Sequence, residues 1–587
     1  MPNLIQEPKQ QIETLLAAAY EKAAEKGTLP AGAVLSGTVE IPKDTANGDF
    51  AANHAMTGAR AMHMAPKKIA EALIAELDLS GSWFASAETA GPGFMNFRLG
   101  ESWYEDVLKA VNTCGADYGS VDEGKGQKVM VEFVSANPTG PMHMGNARGG
   151  VLGDALASVL ERAGYAVFRE FYVNDTGNQI EKFASSIDAR YRQLFLGEDA
   201  VPFPEDGYHG DDIRDLAEAF KAEHGDSYLE ASVEERHAAM ASFGLNRNIP
   251  KMKSDLRRYG IEYDTWFFES SLHESGFVRD TMDKLTELGY TYEKEGALWL
   301  KTSEIMAENL RKAGKTEEEI EKLELKDDVL RRANGFYTYF AADIAYHRNK
   351  FEVRGFDKVI NIWGADHHGY IKRCEAMMEA WGHPGMLEVV LGQLVNLLRN
   401  GEPVRMSKRT GEMVTFEELV DEVGVDATRF LMLSRSSDQP VDFDIEVAKK
   451  QDASNPVYYV QYAHARICSI QRKAAGDDQA SADELAVRVI PAEVDLSVLT
   501  HESELALLRK MDDFTEFVML AARDRAPFRF THYAQELAGL FHQFYTNCHI
   551  IGEEESLKNA RLALADATRI LLALTLSLLG VSTPERM

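Results

Sequence analysis

Cysteine is scarce in this sequence. The cysteines are scattered and show no CxxC spacing: Cys114, Cys374, Cys468 and Cys548. Zinc knuckles and disulfide frameworks need cysteines clustered at short spacings. The sequence therefore predicts free thiols in a reducing compartment, and no structural metal bound by the protein.

Long apolar runs are also lacking. The longest candidate, 570–581, is better explained as a buried helix, because a bilayer span needs ~20 apolar residues. The opening residues, MPNLIQEPKQ, have neither the basic start nor the apolar stretch of a secretory signal. We expect neither secretion nor membrane insertion, and a cytoplasmic location.

Positive charge is under-represented. Lys and Arg number 63 against 93 Asp and Glu, which gives a net charge of −30. A protein that coats nucleic acid needs a dominant basic surface, because Lys and Arg make the phosphate contacts. The charge excludes that class but is compatible with a local basic track on an acidic enzyme.

The composition is that of a globular, multidomain chain. Hydrophobic residues make up 45% and charged residues 27%, which excludes a disordered or collagen-like chain. At ~100–200 residues per domain, 587 residues predict about three to five domains or large insertions. Up to about residue 115, helical periodicity alternates with strand-like segments, which predicts a small mixed domain.

A βαβ unit is predicted between residues 129 and 173. The apolar run 129–134 is typical of a buried parallel strand. A Gly-rich loop, an amphipathic helix at about 147–163 and a second apolar segment at 166–173 follow it. Strand, loop, helix and strand in this order form a parallel crossover.

The alternation of strands and helices is interrupted between about 181 and 330. That stretch is charged and mostly helical, and we expect it to be an insertion. The α/β pattern returns with a strand predicted at 337–340, a helix from 341 and a strand at 358–366. The pair Asn400-Gly401 then signals a tight turn. From about 416 to 587 the chain is rich in helix.

A first candidate site is the tetrapeptide from His143 to Asn146, between the first strand and its helix. Gly145 allows close approach of a ligand to the backbone. A helix N-terminus supplies unpaired N–H groups and the positive end of a dipole, and an imidazole there can bond phosphate oxygens. Four residues alone are equally compatible with an ordinary turn.

A second candidate site carries three cations in five residues. Arg405-Met406-Ser407-Lys408-Arg409 precedes Thr410-Gly411 and suits a mobile anion clamp. Alone it also fits a solvated basic turn, because such runs are common on surfaces. The two sites together, on opposite halves of a split α/β sheet, are a far more specific signal.

Both loops resemble the two signatures of class I aminoacyl-tRNA synthetases. The strings VEFVSANPTGPMHMGNARGG, TYFAADIAYH, DATRFLMLSRSSD and VYYVQYAHARICSI are similar to the arginyl-tRNA synthetase family. IPKDTANGDFAANHAM and GPGFMNFRL resemble the amino-terminal tRNA-binding domain of that family. The resemblance covers nearly the whole chain.

The resemblance implies an α/β fold with three domains. A small α+β domain at 1–115 would bind the D-loop side of tRNA. A Rossmann-like catalytic domain with a parallel sheet would occupy 125–415, split by the helical insertion at about 181–330. An all-helical domain at 416–587 would bind the anticodon.

The implied reaction is ATP-dependent ligation of L-arginine to tRNA(Arg) through an arginyl-adenylate, with release of AMP and pyrophosphate. Positioning and charge stabilisation suffice for such transfers, so no side-chain nucleophile is needed. The implied catalytic residues are His143, Asn146 and Lys408. The implied contacts to ATP, which brings Mg²⁺, are Gly140, Gly145, Gly364, Asp366, Arg405, Met406, Ser407 and Arg409.

Selection of arginine requires carboxylates that face its guanidinium group. A carboxylate that accepts two parallel hydrogen bonds from a guanidinium adds directional specificity as well as binding energy. The resemblance assigns arginine binding to Glu132, Asn137, Tyr339 and Asp343. A carboxylate inside the apolar strand that holds Glu132 is unusual unless it is paired.

The resemblance also places tRNA contacts at both ends of the chain. Asn96 and Phe97 would contact the D-loop region, since amides and aromatic rings read unpaired bases. Tyr459, Tyr462 and Arg466 would contact the anticodon side, and their i, i+3, i+7 spacing puts them on one helix face. We expect no membrane partner and a monomeric enzyme.

Two positions depart from the family's signatures. Asn146 replaces the second histidine of the first signature, and it can donate a hydrogen bond but cannot carry charge. Arg405 replaces the first lysine of the second signature, and it offers a planar fork in place of a point charge.

These departures leave two alternatives open. One is a different adenylate-forming ligase, such as another class I synthetase or a pantoate-activating enzyme, which would lack RNA-binding terminal domains. The other is a non-catalytic RNA-binding paralogue.

Overall fold

The structure is a computed structural model that describes residues 6–42, 44–365, 368–404 and 414–587. Several predicted ATP contacts and one predicted catalytic residue lie outside these ranges: Asp366, Arg405, Met406, Ser407, Lys408 and Arg409.

The N-terminal unit packs helices against an antiparallel sheet. Its elements are α1 (Gln6–Glu25), β1 (Val39–Glu40), β2 (Phe50–Ala52), α2 (His54–Met62), α3 (Pro66–Glu76), β3 (Phe84–Ala90) and β4 (Phe94–Leu99). The strand order is β1-β2-β4-β3, and Ile12 and Leu73 of the helices meet Phe84 and Phe97 of the sheet in one core. Helix α4 (Glu101–Cys114) then leads to the rest of the molecule.

The middle of the chain builds a parallel sheet with helices on both faces. Its first part contains β5 (Lys128–Glu132), α5 (Met144–Arg162), β6 (Ala166–Val173), α6 (Asn178–Leu196), α7 (Asp211–His224), α8 (Val233–Arg258) and β7 (Thr265–Phe268). Its second part contains α9 (Ser270–Glu274), α10 (Phe277–Glu287), β8 (Thr291–Lys294), β9 (Ala297–Leu300), α11 (Thr302–Lys312), α12 (Glu317–Glu321), β10 (Asp328–Arg331), α13 (Tyr339–Arg348), β11 (Lys358–Gly364), α14 (His368–Ala380) and β12 (Leu387–Gly392).

The central sheet has the strand order β12-β11-β5-β6-β7, and every neighbouring pair is parallel. Parallel strands end at one edge of a sheet, so the loops that follow them converge there. Helix α5 lies very close to β5, since a Cβ atom added at Gly153 would be 2.2 Å from Cγ of Phe133. Glycine at this position therefore permits the helix–sheet distance.

A small sheet and a helical domain complete the chain. Their elements are β13 (Val395–Arg399), β14 (Glu402–Pro403), α15 (Phe416–Val423), α16 (Val425–Met432), β15 (Val441–Asp444), α17 (Ile445–Ala448), α18 (Pro456–Ala475), α19 (Ala482–Val489), α20 (Glu502–Arg523), α21 (Arg529–Asn547) and α22 (Glu555–Leu578). The tight turn predicted between β13 and β14 is confirmed, because Asn400 and Gly401 both have positive φ, 54° and 80°.

One hydrophobic core runs from the parallel sheet into the C-terminal helices. Val131 of β5 and Val151 of α5 share it with Phe514 of α20 and Leu571 of α22. The inserted helices α6, α7 and α8 have a separate core around Phe220. The C-terminal domain is thus seated directly on helix α5, whose N-terminus carries the first candidate site.

The predicted fold class is confirmed, with two local differences. First, the segment 181–330 is not purely an insertion, because it contains strand β7, which pairs with β6 in the central sheet. The inserted residues therefore lie before and after β7 in the sequence. The strand predicted at 337–340 is wrong: helix α13 begins at Tyr339, because the Thr338 side chain caps it by accepting the amide of Ala341. The aromatic residues there have high strand propensity, but the cap decides the local structure.

Candidate active site

The carboxyl edge of the sheet is lined by glycine where β11 and β12 end. Gly364, the last residue of β11, is exposed and pairs with Gly392, the last residue of β12. Backbone without side chains allows a flat ligand to approach closely. Of the predicted ATP contacts, Gly364 therefore lies where a parallel sheet presents its ligands.

A strained turn connects β5 to the first candidate loop. Val134 and Ser135 have φ angles of 68° and 41°, which a β-branched residue such as valine rarely adopts. The Ser135 hydroxyl accepts a hydrogen bond from the backbone amide of Tyr172 at 3.2 Å. It also donates a hydrogen bond to the Glu132 carboxylate at 3.2 Å. These bonds hold the turn that directs the loop across the sheet edge, and strain of this kind clusters at functional sites.

His143 caps helix α5 with its side chain. Its Nδ1 accepts the amide of Gly145 at 3.1 Å, and the Asn146 side-chain oxygen accepts the amide of His143 at 3.0 Å. The surrounding protein desolvates the imidazole and lowers the pKa of His143, so the ring is neutral near pH 7. With Nδ1 as an acceptor, the proton of the neutral ring is on Nε2.

The two glycines of this loop border the cap. At Gly145 an added Cβ would meet the His143 ring at 3.0 Å, so a larger residue there would require the imidazole to shift. At Gly140 an added Cβ would lie 3.4 Å from the Asp212 carboxylate, which belongs to the inserted helix α7. The insertion therefore borders the first candidate loop.

The chain directly after the second candidate loop is hydrogen-bonded to the first loop. The Met144 amide donates to the Val414 carbonyl at 3.3 Å, and the Phe416 amide donates to the Met142 carbonyl at 2.9 Å. His143 and Thr415 form the antiparallel bridge between these bonds. The segment 405–413 lies outside the described residues, but its exit is anchored at His143.

Carboxylates cluster around the hydroxyl group of Tyr172 in β6. Glu269 is 4% exposed and accepts the Tyr172 hydroxyl at 2.8 Å. Asp343 on α13 accepts the Tyr370 hydroxyl at 2.7 Å. Burial raises the pKa of Tyr172, and the charges of Glu269, Asp343 and Glu132 raise it further. Several carboxylates thus act on one site, and their combined charge favours a cation there.

Glu132 is paired within the protein. The ammonium group of Lys350, which is fully buried, donates to the Glu132 carboxylate and lies 3.4 Å from Oδ1 of Asn361. Asn361 contacts the ring of His347, which bonds the Asp343 carbonyl at 2.8 Å. Burial, with the charge of Lys350, lowers the pKa of His347 to about 3, so the ring is neutral. A polar network therefore joins Glu132 and Asp343.

The remaining predicted arginine contacts are accessible. Tyr339 is 49% exposed, and its hydroxyl lies 3.4 Å from the position of a Cβ atom at Gly177. Asn137 is an exposed residue of the loop after β5. Glu269 was not predicted from the sequence, although a carboxylate directly after the aromatic run of β7 is a signal at the carboxyl end of a strand.

The predicted D-loop contacts are buried. Asn96 is 4% exposed, and Phe97 is fully buried in the N-terminal core, where its ring centroid is 5.4 Å from that of Phe84. The burial does not support direct stacking of Phe97 on a base.

The predicted anticodon contacts share a face of α18, as expected from their spacing. The Arg466 guanidinium carbon lies 4.8 Å from the ring centroids of both Tyr462 and Tyr545, and Tyr459 packs on His542 of α21. Beside them is a cavity of about 450 Å³ lined by Tyr462, Ala465, Arg466, Ser469, Ile470, Arg472, Lys473, Tyr545, Arg586 and Met587. Arg466 was predicted from the sequence, whereas Tyr545, Arg472, Lys473 and Arg586 of the same cavity were not.

The described residues, 6–42, 44–365, 368–404 and 414–587, contain neither a metal-binding cluster nor a membrane-spanning helix. Within those ranges, no cluster of three His, Cys, Asp or Glu side chains could hold a metal ion. In the same part of the chain, no helix has the length and apolarity needed to cross a membrane. The cysteines are free thiols.

Comparison with known proteins first defines the class. The family described as "tRNA synthetases class I (R), catalytic domain" matches residues 108–468, which include the parallel sheet and both candidate loops. The solved arginyl-tRNA synthetase of Thermus thermophilus has the same fold, with a TM-score of 0.69 at 22% identity, over 99% of this chain and 100% of that one. The fold and the site are those of a class I aminoacyl-tRNA synthetase.

The flanking domains and close relatives define the family. "Arginyl tRNA synthetase N terminal domain" matches residues 10–99 and "DALR anticodon binding domain" matches 460–587. The arginine–tRNA ligase of Caldanaerobacter subterraneus subsp. tengcongensis is 50% identical over 100% of both chains. A putative arginyl-tRNA synthetase structure from Campylobacter jejuni is 34% identical, with a TM-score of 0.72, over 83% of this chain and 100% of that one.

This chain belongs to the arginyl-tRNA synthetase family. It is an enzyme that ligates arginine to tRNA at the expense of ATP. The predicted family and reaction are confirmed, and the match over the full length sets aside both alternatives, a different ligase and a non-catalytic paralogue.

Proposed function

We propose that arginyl-adenylate forms between the loop of His143 and the loop of Lys408, and that arginine then passes to tRNA(Arg). The neutral imidazole donates through Nε2–H to the α-phosphate of ATP, because Nδ1 is occupied by the Gly145 amide. The Asn146 side chain uses its oxygen for the helix cap, which leaves its NH₂ group as a second donor. A charged second histidine is not required for this arrangement.

The backbone pairing of Met142–Met144 with Val414–Phe416 carries this proposal. Lys408 is six residues before Val414, so at ~3.3–3.6 Å per residue its Cα lies within about 22 Å of Val414, which pairs with the capping loop. Lys408, supported by Arg405, Ser407 and Arg409, stabilises the departing pyrophosphate. Met406 and Gly140 shape the loops, Gly364 and Asp366 face the ribose, and Mg²⁺ arrives with ATP.

Lys408→Ala tests the proposal. Loss of one preorganised charge stabiliser should lower arginine-dependent ATP–pyrophosphate exchange, measured with tRNA present, on the order of 10²–10³-fold. The dissociation constant for tRNA should stay within about twofold, because the loop stabilises a transition state and not the bound tRNA. Lys322→Ala, an exposed lysine of the catalytic domain, is the control. Full exchange activity of Lys408→Ala would refute the role.

We propose that Glu269 and Asp343 grip the guanidinium of arginine. Two carboxylates can satisfy a planar fork of donors, whereas the lysine ammonium is a point donor, so lysine is rejected. Tyr339 and Asn137 complete the pocket. Glu132 would contribute negative charge without contacting the guanidinium directly, because its carboxylate is already paired with Lys350.

We propose that the cavity beside Arg466 receives an anticodon nucleotide. Tyr462 and Tyr545 offer rings for stacking, and the basic side chains around them offset phosphate charge on an otherwise acidic protein. Tyr459 supports this face from the side. Asn96 is buried, so it would support the surface of the N-terminal domain that contacts the D-loop. We also expect the enzyme to work as a monomer.

A further inference from the structure

Arg148 lies one turn after His143 in helix α5 and is 3% exposed. All four of its hydrogen-bond acceptors are main-chain carbonyls. Nη1 donates to Gln393 at 2.7 Å and Leu394 at 3.4 Å. Nη2 donates to Ser436 at 2.9 Å and Gln439 at 2.7 Å. One guanidinium therefore joins two chain segments that are far apart in sequence.

These two segments support the base of the Lys408 loop. Gln393 and Leu394 precede β13, which leads through β14 to Val404, the last described residue before the Lys408 loop. Ser436 and Gln439 precede β15, which pairs in parallel with β13. The Gln393 amide also donates to the Ser437 carbonyl at 2.8 Å. Arg148 thus fixes the entrance of the loop, while the bridge at His143 fixes its exit.

A buried cation that faces neutral carbonyls is costly, because burial penalises its charge. Desolvation lowers the pKa of Arg148 to about 10, and the charge of Asp438 partly offsets it. A rigid planar fork matches acceptors on two sides at once, which a lysine ammonium cannot do. The guanidinium is therefore suited to setting a distance between segments.

We propose that Arg148 is a positioning residue for adenylate formation, which holds the base of the Lys408 loop at a fixed place relative to His143. This inference rests on the proposed function of the two loops. Arg148 contacts neither ATP nor arginine; it acts through the loop it anchors.

The test compares Arg148→Ala and Arg148→Lys with Arg162→Ala. Arg162 is a matched control, because it lies at the far end of α5 and donates to the carbonyls of Ala116 and Tyr118 at 2.9 and 3.4 Å. We expect Arg148→Ala to lower kcat of arginine-dependent exchange on the order of 10²-fold, as a small misplacement does. The dissociation constant for tRNA should stay unchanged, Arg148→Lys should fail to restore kcat, and millimolar guanidinium chloride should rescue Arg148→Ala.

The outcomes separate this inference from the proposed function. Exchange by Arg148→Ala equal to that of Arg162→Ala would overturn the inference, even if Lys408→Ala is inactive. If Arg148→Ala loses kcat, tRNA binding and melting temperature together, and guanidinium does not rescue it, the inference is also overturned. Arg148 would then have a purely structural role. An active Lys408→Ala enzyme would instead overturn the proposed function.

Discussion

At the residue scale, the proposed site depends on a few polar groups whose surroundings are set by the fold. His143 is neutral because it is desolvated, and its cap assigns the proton to Nε2. Glu269 is buried and accepts a hydrogen bond from the Tyr172 hydroxyl, on which the charge of Asp343 also acts. The proposed chemistry uses these local environments and no protein nucleophile.

Glu269→Gln should raise the KM for arginine. A hydrogen bond to a charged group contributes ~1.5–3 kcal/mol, which corresponds to about 10- to 150-fold in KM. The KM for ATP should change little, because the carboxylate faces the amino acid. Steady-state exchange kinetics with varied arginine measure this.

Glu262→Gln is the matched control for Glu269→Gln. Its carboxylate is 75% exposed in a surface pair with Arg257 and should leave the KM for arginine unchanged. An unaltered KM in Glu269→Gln would remove that residue from the pocket.

Sequence reasoning identifies the residues whose chemistry stands in a local pattern. His143 follows a strand and begins a helix, so its position at a helix N-terminus follows from the chain itself. Glu269 and the Glu132–Lys350 pair depend on contacts across 97 and 218 residues, which no local pattern contains. Sequence reasoning considered a buried position for Phe97 but could not decide it, since an aromatic residue in a strand fits a core or a surface.

At the scale of elements, helix α5 is the structural centre of the account. Its N-terminus carries His143, its first turns carry Arg148, and Gly153 sets its distance from β5. Buried apolar runs and periodicity predict β5, β6, β11 and α5 well. Short elements such as β7 were missed, because four half-buried residues give no periodic signal.

Gly153→Ala should destabilise the enzyme by ~1–3 kcal/mol, because the added methyl would overlap the Phe133 ring and push α5 outward. Gly149→Ala, in the same helix with nothing within 4 Å of its Cβ position, should instead stabilise it by ~0.5–1 kcal/mol through helix propensity. Chemical denaturation of both variants measures the difference. Equal stabilities would contradict the close packing of α5 on the sheet.

At the scale of the whole molecule, the acidic enzyme must bind an acidic substrate through local features. With a net charge of −30, the enzyme repels the negatively charged tRNA at long range. The aromatic and basic cavity of the C-terminal domain should therefore carry much of the affinity for tRNA. The shared core between that domain and α5 keeps the cavity at a fixed distance from the active site.

Tyr545→Ala should weaken tRNA binding. Stacking of one base contributes ~1–3 kcal/mol, so the dissociation constant should rise about 5- to 150-fold. Val487→Ala, 84% exposed on α19 of the same domain, is the control and should bind tRNA normally. Filter binding at one fixed salt concentration compares them, and unchanged binding by Tyr545→Ala would rule out the cavity as a nucleotide site.

A double-mutant cycle tests whether the two loops act on one nucleotide. His143→Asn keeps a side chain that can cap a helix but removes the imidazole, and it is combined with Lys408→Ala. If both groups stabilise the same transition state of adenylate formation, their effects on kcat/KM for ATP–pyrophosphate exchange should be non-additive by at least ~1 kcal/mol. Strictly additive effects would show that the loops act independently and would contradict the mechanism.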